Sequence, residues 1–338
     1  MLQMSSASQA KNRPEMDPYF NFIINESVDR LEQLKRIDPD KDFNVFWRGD
    51  LAWCLQTYLR LRVQHRNVTC TNRLASDAIN IIHGNQLRQT MSGPEHFIVC
   101  AQADFPPCRW AHFQIVQNRT QLTGNGAYLP HWPQAGCLPR NSGRSEVKNV
   151  AYAGLTYNGN MAGTVEGWST LLQREGFRFT VLTQETANDL REIDVLLALR
   201  SFDRRTYDAK PPSKLFNAWA GRVPLIGGYD SAFQQVGQAG KDYLRAENEQ
   251  QVMAHLRRLR DDPQFYEDIV RRGAERFAAY TPSSLAEQWW NLLQGPVLDR
   301  YRLWLGRPRR EQIRRLAILS VARSVSRVKS LLKRTSPS

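Results

Sequence analysis

The residues best equipped for chemistry lie in one stretch, Lys210 to Phe233, reading KPPSKLFNAWAGRVPLIGGYDSAF. Lys210-Pro211-Pro212 is extended, because a residue before proline avoids the helical region. Ser213 is expected to cap a short helix over Lys214 to Ala220, and Gly221 to supply the left-handed residue that ends it. Val223 to Ile226 has the length and composition of a buried parallel strand. Gly227-Gly228 then frees the backbone to approach a ligand. Asp230 or Ser231 opens the next helix, whose free N–H groups attract an anion. Two lysines, a glycine pair and a helix start at one strand end suit a diphosphate.

In open αβ sheets, ligands bind outside the carboxyl ends of the strands. In the second half of the chain this rule adds Gly154 and Asn158, after the strand NVAYAG, and Arg200, directly after DVLLAL. Arg200 could stabilise charge on a leaving group or pair with a local carboxylate such as Asp203. The Asn158-Gly159-Asn160 loop fits a ligand contact and a plain turn equally well. In the first half the rule picks Arg48-Gly49-Asp50, His83, Asn85 and Asp104. Group transfer to a hydroxyl calls for a proton acceptor, which makes Asp50 and His83 the catalytic candidates. Asp50 also fits a helix N-cap, His83 a satisfied structural histidine, and Asp104 the ordering of a proline turn.

These positions need elements to hold them. Tyr19 to Arg36 carries apolar residues at helical spacing and is expected to be an amphipathic helix. Phe43 to Trp47 is expected to be the first strand, followed by a helix over Leu51 to Val63. Strands are expected over Val68–Thr71, Ala78–His83, Phe97–Ala101 and His112–Gln117. The proline-rich LPHWPQAGCLPR, residues 129–140, then reads as a linker. A second series comes after it, with strands over Asn149–Gly154, Phe177–Leu182 and Val195–Leu199, and helices over Thr164–Arg174 and Ala187–Glu192. Two amphipathic helices and a last one after Thr281-Pro282-Ser283 close the chain. Alternating strands and helices predict α/β domains with parallel sheets.

The 338 residues allow two domains. The net charge of +13 is concentrated in the tail: residues 296–338 hold 12 Lys/Arg against 2 Asp/Glu. The nearly balanced remainder argues against a nucleic-acid-binding body. Ile313, Leu316, Ala317, Val321, Val325, Val328 and Leu332 would form an apolar stripe in a basic helix, fit for an anionic membrane surface, for packing on the body or for an oligomer contact. The five cysteines show no zinc or disulfide pattern, and no eighteen-residue apolar run or signal peptide is read. No metal-ligand spacing, ATP-binding loop or dinucleotide fingerprint stands in the sequence, so neither metal nor cofactor is expected.

The pattern KPxSKLxNAWxxGxPxIxGxxSAF resembles the donor-binding segment of GT-B-fold glycosyltransferases of the "group 1" type. The likeness is specific over about two dozen residues and extends more weakly over 42–295. It implies two Rossmann-like doubly wound domains facing a cleft, with a basic C-terminal helix appended. By resemblance Lys214 meets the donor diphosphate, and Asn217 stands where many relatives carry a glutamate that bonds the ribose. The implied divisions are 1–41, an N-terminal extension and helix; 42–140, the acceptor domain; 141–281, the nucleotide-sugar domain; 282–295, a cross-over helix; and 296–338, the basic tail. The implied activity is metal-independent transfer of a sugar from a nucleotide-sugar to a glycan or lipid-linked acceptor, in the cytoplasm and peripherally on the membrane. Arg200, Lys210, Lys214, Asn217, Ser231, Gly154 and Asn158 would bind substrate, and Asp50 and His83 would do the proton chemistry. A non-catalytic nucleotide-sugar-binding or membrane-tethered protein of the same fold is the alternative.

Overall fold

The structure, a computed structural model, describes residues 18–157 and 159–308, and beyond these 310, 311, 313, 314 and 317. Two parallel sheets organise the chain. The first contains β1 (Tyr19–Ile23), β2 (Val68–Thr71), β3 (Ala78–His83), β4 (Phe97–Ala101), β5 (Phe113–Val116) and β6 (Gly126–Tyr128), in the order β2-β1-β3-β4-β5-β6. The second contains β7 (Asn149–Ala153), β8 (Arg178–Leu182), β9 (Val195–Ala198), β10 (Leu225–Gly227) and β11 (Leu244–Arg245), in the order β11-β10-β9-β7-β8. All neighbouring strands are parallel. Two Rossmann-like αβ units result.

The chain enters its first sheet earlier than the sequence suggests. Tyr19–Ile23 is a strand inside the sheet, and helix begins only at Val28, after the Ser27 cap. The residues expected as extension and helix, 1–41, therefore supply a strand that pairs on both sides. A strand buried on both faces is apolar without alternation, and Phe20, Phe22 and Ile23 are buried here. The one polar member, Asn21, is fully buried and satisfied by Asn80, Thr69, Thr71 and the Arg73 carbonyl. Phe43–Trp47, expected as the first strand, is a short 3-10 turn whose residues are at most half-buried.

The linker also shapes the second domain. Ala187–Glu192 is not the expected helix, because its backbone is engaged by the linker: Leu138 N–H donates to Asn188 O at 2.7 Å, and Leu190 N–H donates to Leu138 O at 2.9 Å. The linker ends on Asp194, which is fully buried at the start of β9. Asp194 accepts from Arg140 Nε (2.9 Å), from Arg144 Nε and Nη2 (3.0 Å each), and from the backbone N–H of Lys148 (2.9 Å) and Asn149 (2.7 Å). Burial alone would raise its pKa, but the bonds from Arg144, from the Asn149 and Lys148 amides and from Arg140 hold it below the usual carboxylate value.

The C-terminal helix runs longer than 282–295. Helix Pro282–Leu292 passes through a one-turn π segment, Leu293–Val297, into a helix over Leu298–Leu305. Leu285, Trp289, Leu293, Val297, Leu298, Tyr301 and Trp304 join the core of the first domain, beside Phe20, Phe22, Trp53 and Phe97. The residues assigned to the start of the tail are thus core. Of the apolar stripe, Ile313 and Ala317 are described and exposed, while Leu316 and the positions from Val321 to Leu332 lie outside the described residues. No helix among the described residues is long and apolar enough to cross a membrane.

Candidate active site

The carboxyl ends of the two sheets face a shared cleft of about 680 Å³. From the second domain it is lined by Tyr152, Gly154, Leu155, Asn160, Arg200, Lys210, Ser213 and Lys214. From the first it is lined by Trp47, Asp50, Trp53, His83, Asp104 and neighbours. The cleft therefore brings together ten of the expected residues: Gly154, Arg200, Lys210 and Lys214 from the second domain, and Arg48, Gly49, Asp50, His83, Asn85 and Asp104 from the first.

Lys214 lies in the first turn of helix Ser213–Ala220. The expected Ser213 cap is absent, since the N-cap is Pro212 and makes no side-chain bond. Gly221 does not take the left-handed turn either; Arg222 does, at φ 55°. Glycine is required at 221 for space, because a Cβ there would run into the Leu190 side chain. Lys214 Nζ donates to Tyr152 Oη at 2.6 Å and stands 3.8 Å from the centre of that ring. Tyr152 Oη also reaches the carbonyl of Asn160 at 2.5 Å, tying the lysine to the loop after β7. Burial, and then the neighbouring Arg200 charge, push the Lys214 ammonium well below its ordinary pKa. Gly154 lies beside the lysine, where a Cβ would make only ordinary contact with Lys214 Cε and Nζ at 3.6 Å; glycine is called for by the backbone, whose φ is +126°. Only glycine adopts that backbone without strain.

Arg200, 9% exposed, pairs with Asp230 rather than with Asp203: its Nε donates to Asp230 Oδ1 at 2.8 Å. Its Nη1 reaches Asn160 Oδ1 at 3.4 Å. Asp230 is fully buried and its Oδ2 has no partner among the described residues. Burial raises the Asp230 pKa, against the opposing pull of Arg200. The cleft thus holds two cations whose charges oppose each other, with one buried carboxylate beneath them. An arriving anion would relieve that repulsion.

Lys210 faces the same cleft, but its Nζ is paired across the domains with Asp104 Oδ2 at 2.6 Å. Two expected residues lie elsewhere. Asn217, one helical turn beyond Lys214, does not line the cleft: its Oδ1 accepts the Gln134 N–H of the linker at 2.8 Å. Ser231 sits in the seam between the domains, its Oγ accepting from Asn118 Nδ2 at 2.8 Å. Helix Ser231–Val236 is only six residues long, and its N-cap carboxylate, Asp230, is turned to Arg200. Asn158 lies outside the described residues.

On the first-domain wall, Asp50 is not a free base. Its two oxygens accept from Arg48 at 2.6 and 2.9 Å and from Gln86 Nε2 at 2.6 Å. It stands at a helix start without making a capping bond. His83 is the better proton acceptor by geometry. It ends β3 beneath Gly49, where a Cβ would come within 2.7 Å of its Nε2, and packs edge-on against Phe105. Burial lowers its pKa to about 4, so the ring is neutral at neutral pH. Tyr152 and the pairing of Arg200 with Asp230 had no signal in the sequence beyond their residue types.

Two αβ domains whose strand ends face one cleft, with cations on the second wall, define a GT-B fold. Residues 143–291, most of the second domain and the start of the C-terminal helix, match the family described as "Glycosyl transferase-like". No curated protein matches the chain. Among solved structures, AviGT4, a glycosyltransferase involved in avilamycin A biosynthesis, superposes with a TM-score of 0.50 at 12% identity, over 86% of this chain and 98% of that one. HepE of Anabaena, solved with UDP and glucose, gives 0.48 at 8% identity, covering 83% and 100%. TarM gives 0.45 at 10% identity, covering 73% of this chain; the chain spans 58% of TarM's length.

Proposed function

We propose that the cleft transfers a sugar from a nucleotide-sugar to a hydroxyl acceptor, a glycan or a lipid-linked one. The donor diphosphate would rest against Arg200 and Lys214, in front of the Gly154 loop. The observation that carries this reading is the convergence of the two cations on the end of the second sheet, within a cleft closed on its other side by His83 and Asp50. Charge developing on the departing nucleotide would be met by Arg200 and Lys214, so transfer is expected to persist in EDTA. His83 would take the acceptor proton.

Calorimetric titration with nucleoside diphosphates tests the donor site. Lys214→Ala is expected to weaken diphosphate binding by about 1.5–3 kcal/mol, the range for a charge-assisted bond, while the parent nucleoside is hardly affected. An unchanged diphosphate affinity would remove Lys214 from the site.

The reading includes a peripheral membrane contact through the basic tail. The last described helix already leaves Leu303 and Leu305 exposed, beside Arg302 and Arg307. The full chain is expected to pellet with vesicles containing anionic lipid, less so in high salt. A chain ending at Gly306 should stay in solution. This truncation spares Val297, Leu298, Tyr301 and Trp304, which a cut after Gly295 would remove from the core. Equal pelleting of the two proteins would rule the tail out as an anchor.

A further inference from the structure

The two walls of the cleft differ in what they leave unsatisfied. On the second-domain wall the free capacity is cationic. On the first-domain wall every charge is already paired: Arg48 bonds Asp50 and Glu26, and Asp104 bonds Lys210 and Gln117. Glu26, Asp50 and Asp104 are met by two cations, Arg48 and, from across the cleft, Lys210, so one negative charge is left over and a further anion would be repelled. What remains free is neutral. Asn25, Asn85 and Gln89 line the cleft, are exposed, and have no side-chain partner among the described residues. Gln86 gives its Nε2 to Asp50 but leaves a buried Oε1 without a partner among the described residues. Trp47 stands beside them, 39% exposed, its ring unstacked among the described residues.

We infer that this wall binds a neutral saccharide acceptor, with Trp47 as its stacking platform and the amides of Asn25, Asn85, Gln86 and Gln89 reading its hydroxyls. An amide offers a donor and an acceptor together, which suits the hydroxyl pairs of a sugar. An indole offers a broad apolar face with little loss of conformational freedom. A phosphate-bearing acceptor would want free cations on this wall, and they are absent among the described residues. The inference rests on the transferase reading only in calling the saccharide an acceptor, because binding can be measured without donor.

The full chain, free of nucleotide, is titrated with three sets of probes. These are neutral gluco-, manno-, galacto- and N-acetylglucosamine oligosaccharides, uronate-containing oligosaccharides, and a short-chain polyprenyl phosphate in detergent. A neutral oligosaccharide is expected to bind with little dependence on salt. Trp47→Ala should weaken it about tenfold with the melting temperature unchanged, and Trp47→Phe should recover most of the loss. Binding confined to the uronates or the polyprenyl phosphate overturns the inference, as does the absence of any neutral ligand or an unaffected Trp47→Ala. Loss of nucleoside-diphosphate binding with saccharide binding intact would instead count against the transferase reading alone.

Discussion

Replacing Arg200 by alanine is expected to lower turnover by about 10²–10³-fold, the cost of removing one preorganised donor from a site of developing charge. The Arg200 guanidinium is held by Asp230 and Asn160 before any ligand arrives, so little reorganisation is needed at the moment of transfer. The substitution also strands Asp230, a buried carboxylate whose second oxygen is already without a partner among the described residues. Loss of activity in the single variant could therefore reflect a damaged fold. The double variant Arg200→Ala/Asp230→Asn separates the two causes, because it removes the stranded charge. It should regain the melting temperature of the wild type while turnover stays low. Recovery of turnover in the double variant would assign Arg200 a purely structural role.

The largest effect on stability is expected at Asp194. Its carboxylate accepts five hydrogen bonds, from two arginines and two backbone amides, with no exposure to solvent. Asp194→Ala leaves two guanidinium groups and two amides without their acceptor. Breaking such a buried pair from one side costs about 3–5 kcal/mol, measurable by urea unfolding at neutral pH. The effect should depend on pH. The carboxyl pKa is depressed in the folded protein, so its contribution is fully present above the unfolded value of about 3.9 and is lost as pH falls through the folded value. The gap between wild type and variant should therefore narrow only in acid. A gap under about 1 kcal/mol at neutral pH, within the range of exposed pairs, would mean that the cluster is not stabilising.

The second domain was legible where local pattern and burial coincide. NVAYA, VLLA and the strand after Gly221 are short apolar runs bounded by turn residues, and the strand-end rule then located Gly154, Arg200 and Lys214. The first strand was not legible. Phe20, Phe22, Ile23 and Ile24 also fit a helical face when Val28, Leu31 and Leu34 come next, and Asn21 breaks the continuous run a buried strand would show. Only the distant Asn80, Thr69 and Thr71 explain why an asparagine is tolerated there. In the site itself, residue types were readable but pairings were not. Arg200 finds Asp230 rather than Asp203, Lys210 finds Asp104, and Asn217 finds Gln134. These partners are separated by 30, 106 and 83 positions, and separations of that size leave no periodic trace.

The long return of the C-terminal helix limits how this protein can be recombined. An N-terminal half exchanged with that of a relative at the linker would arrive without Trp289, Leu293, Val297, Tyr301 and Trp304, which complete its core from the far end of the chain. A working chimera must take two segments from the same parent, the first sheet and everything after about residue 281, leaving the second domain as an insert between them. In modular terms the second domain is the cassette and the first domain is the chassis, although linear order along the chain suggests two equal halves.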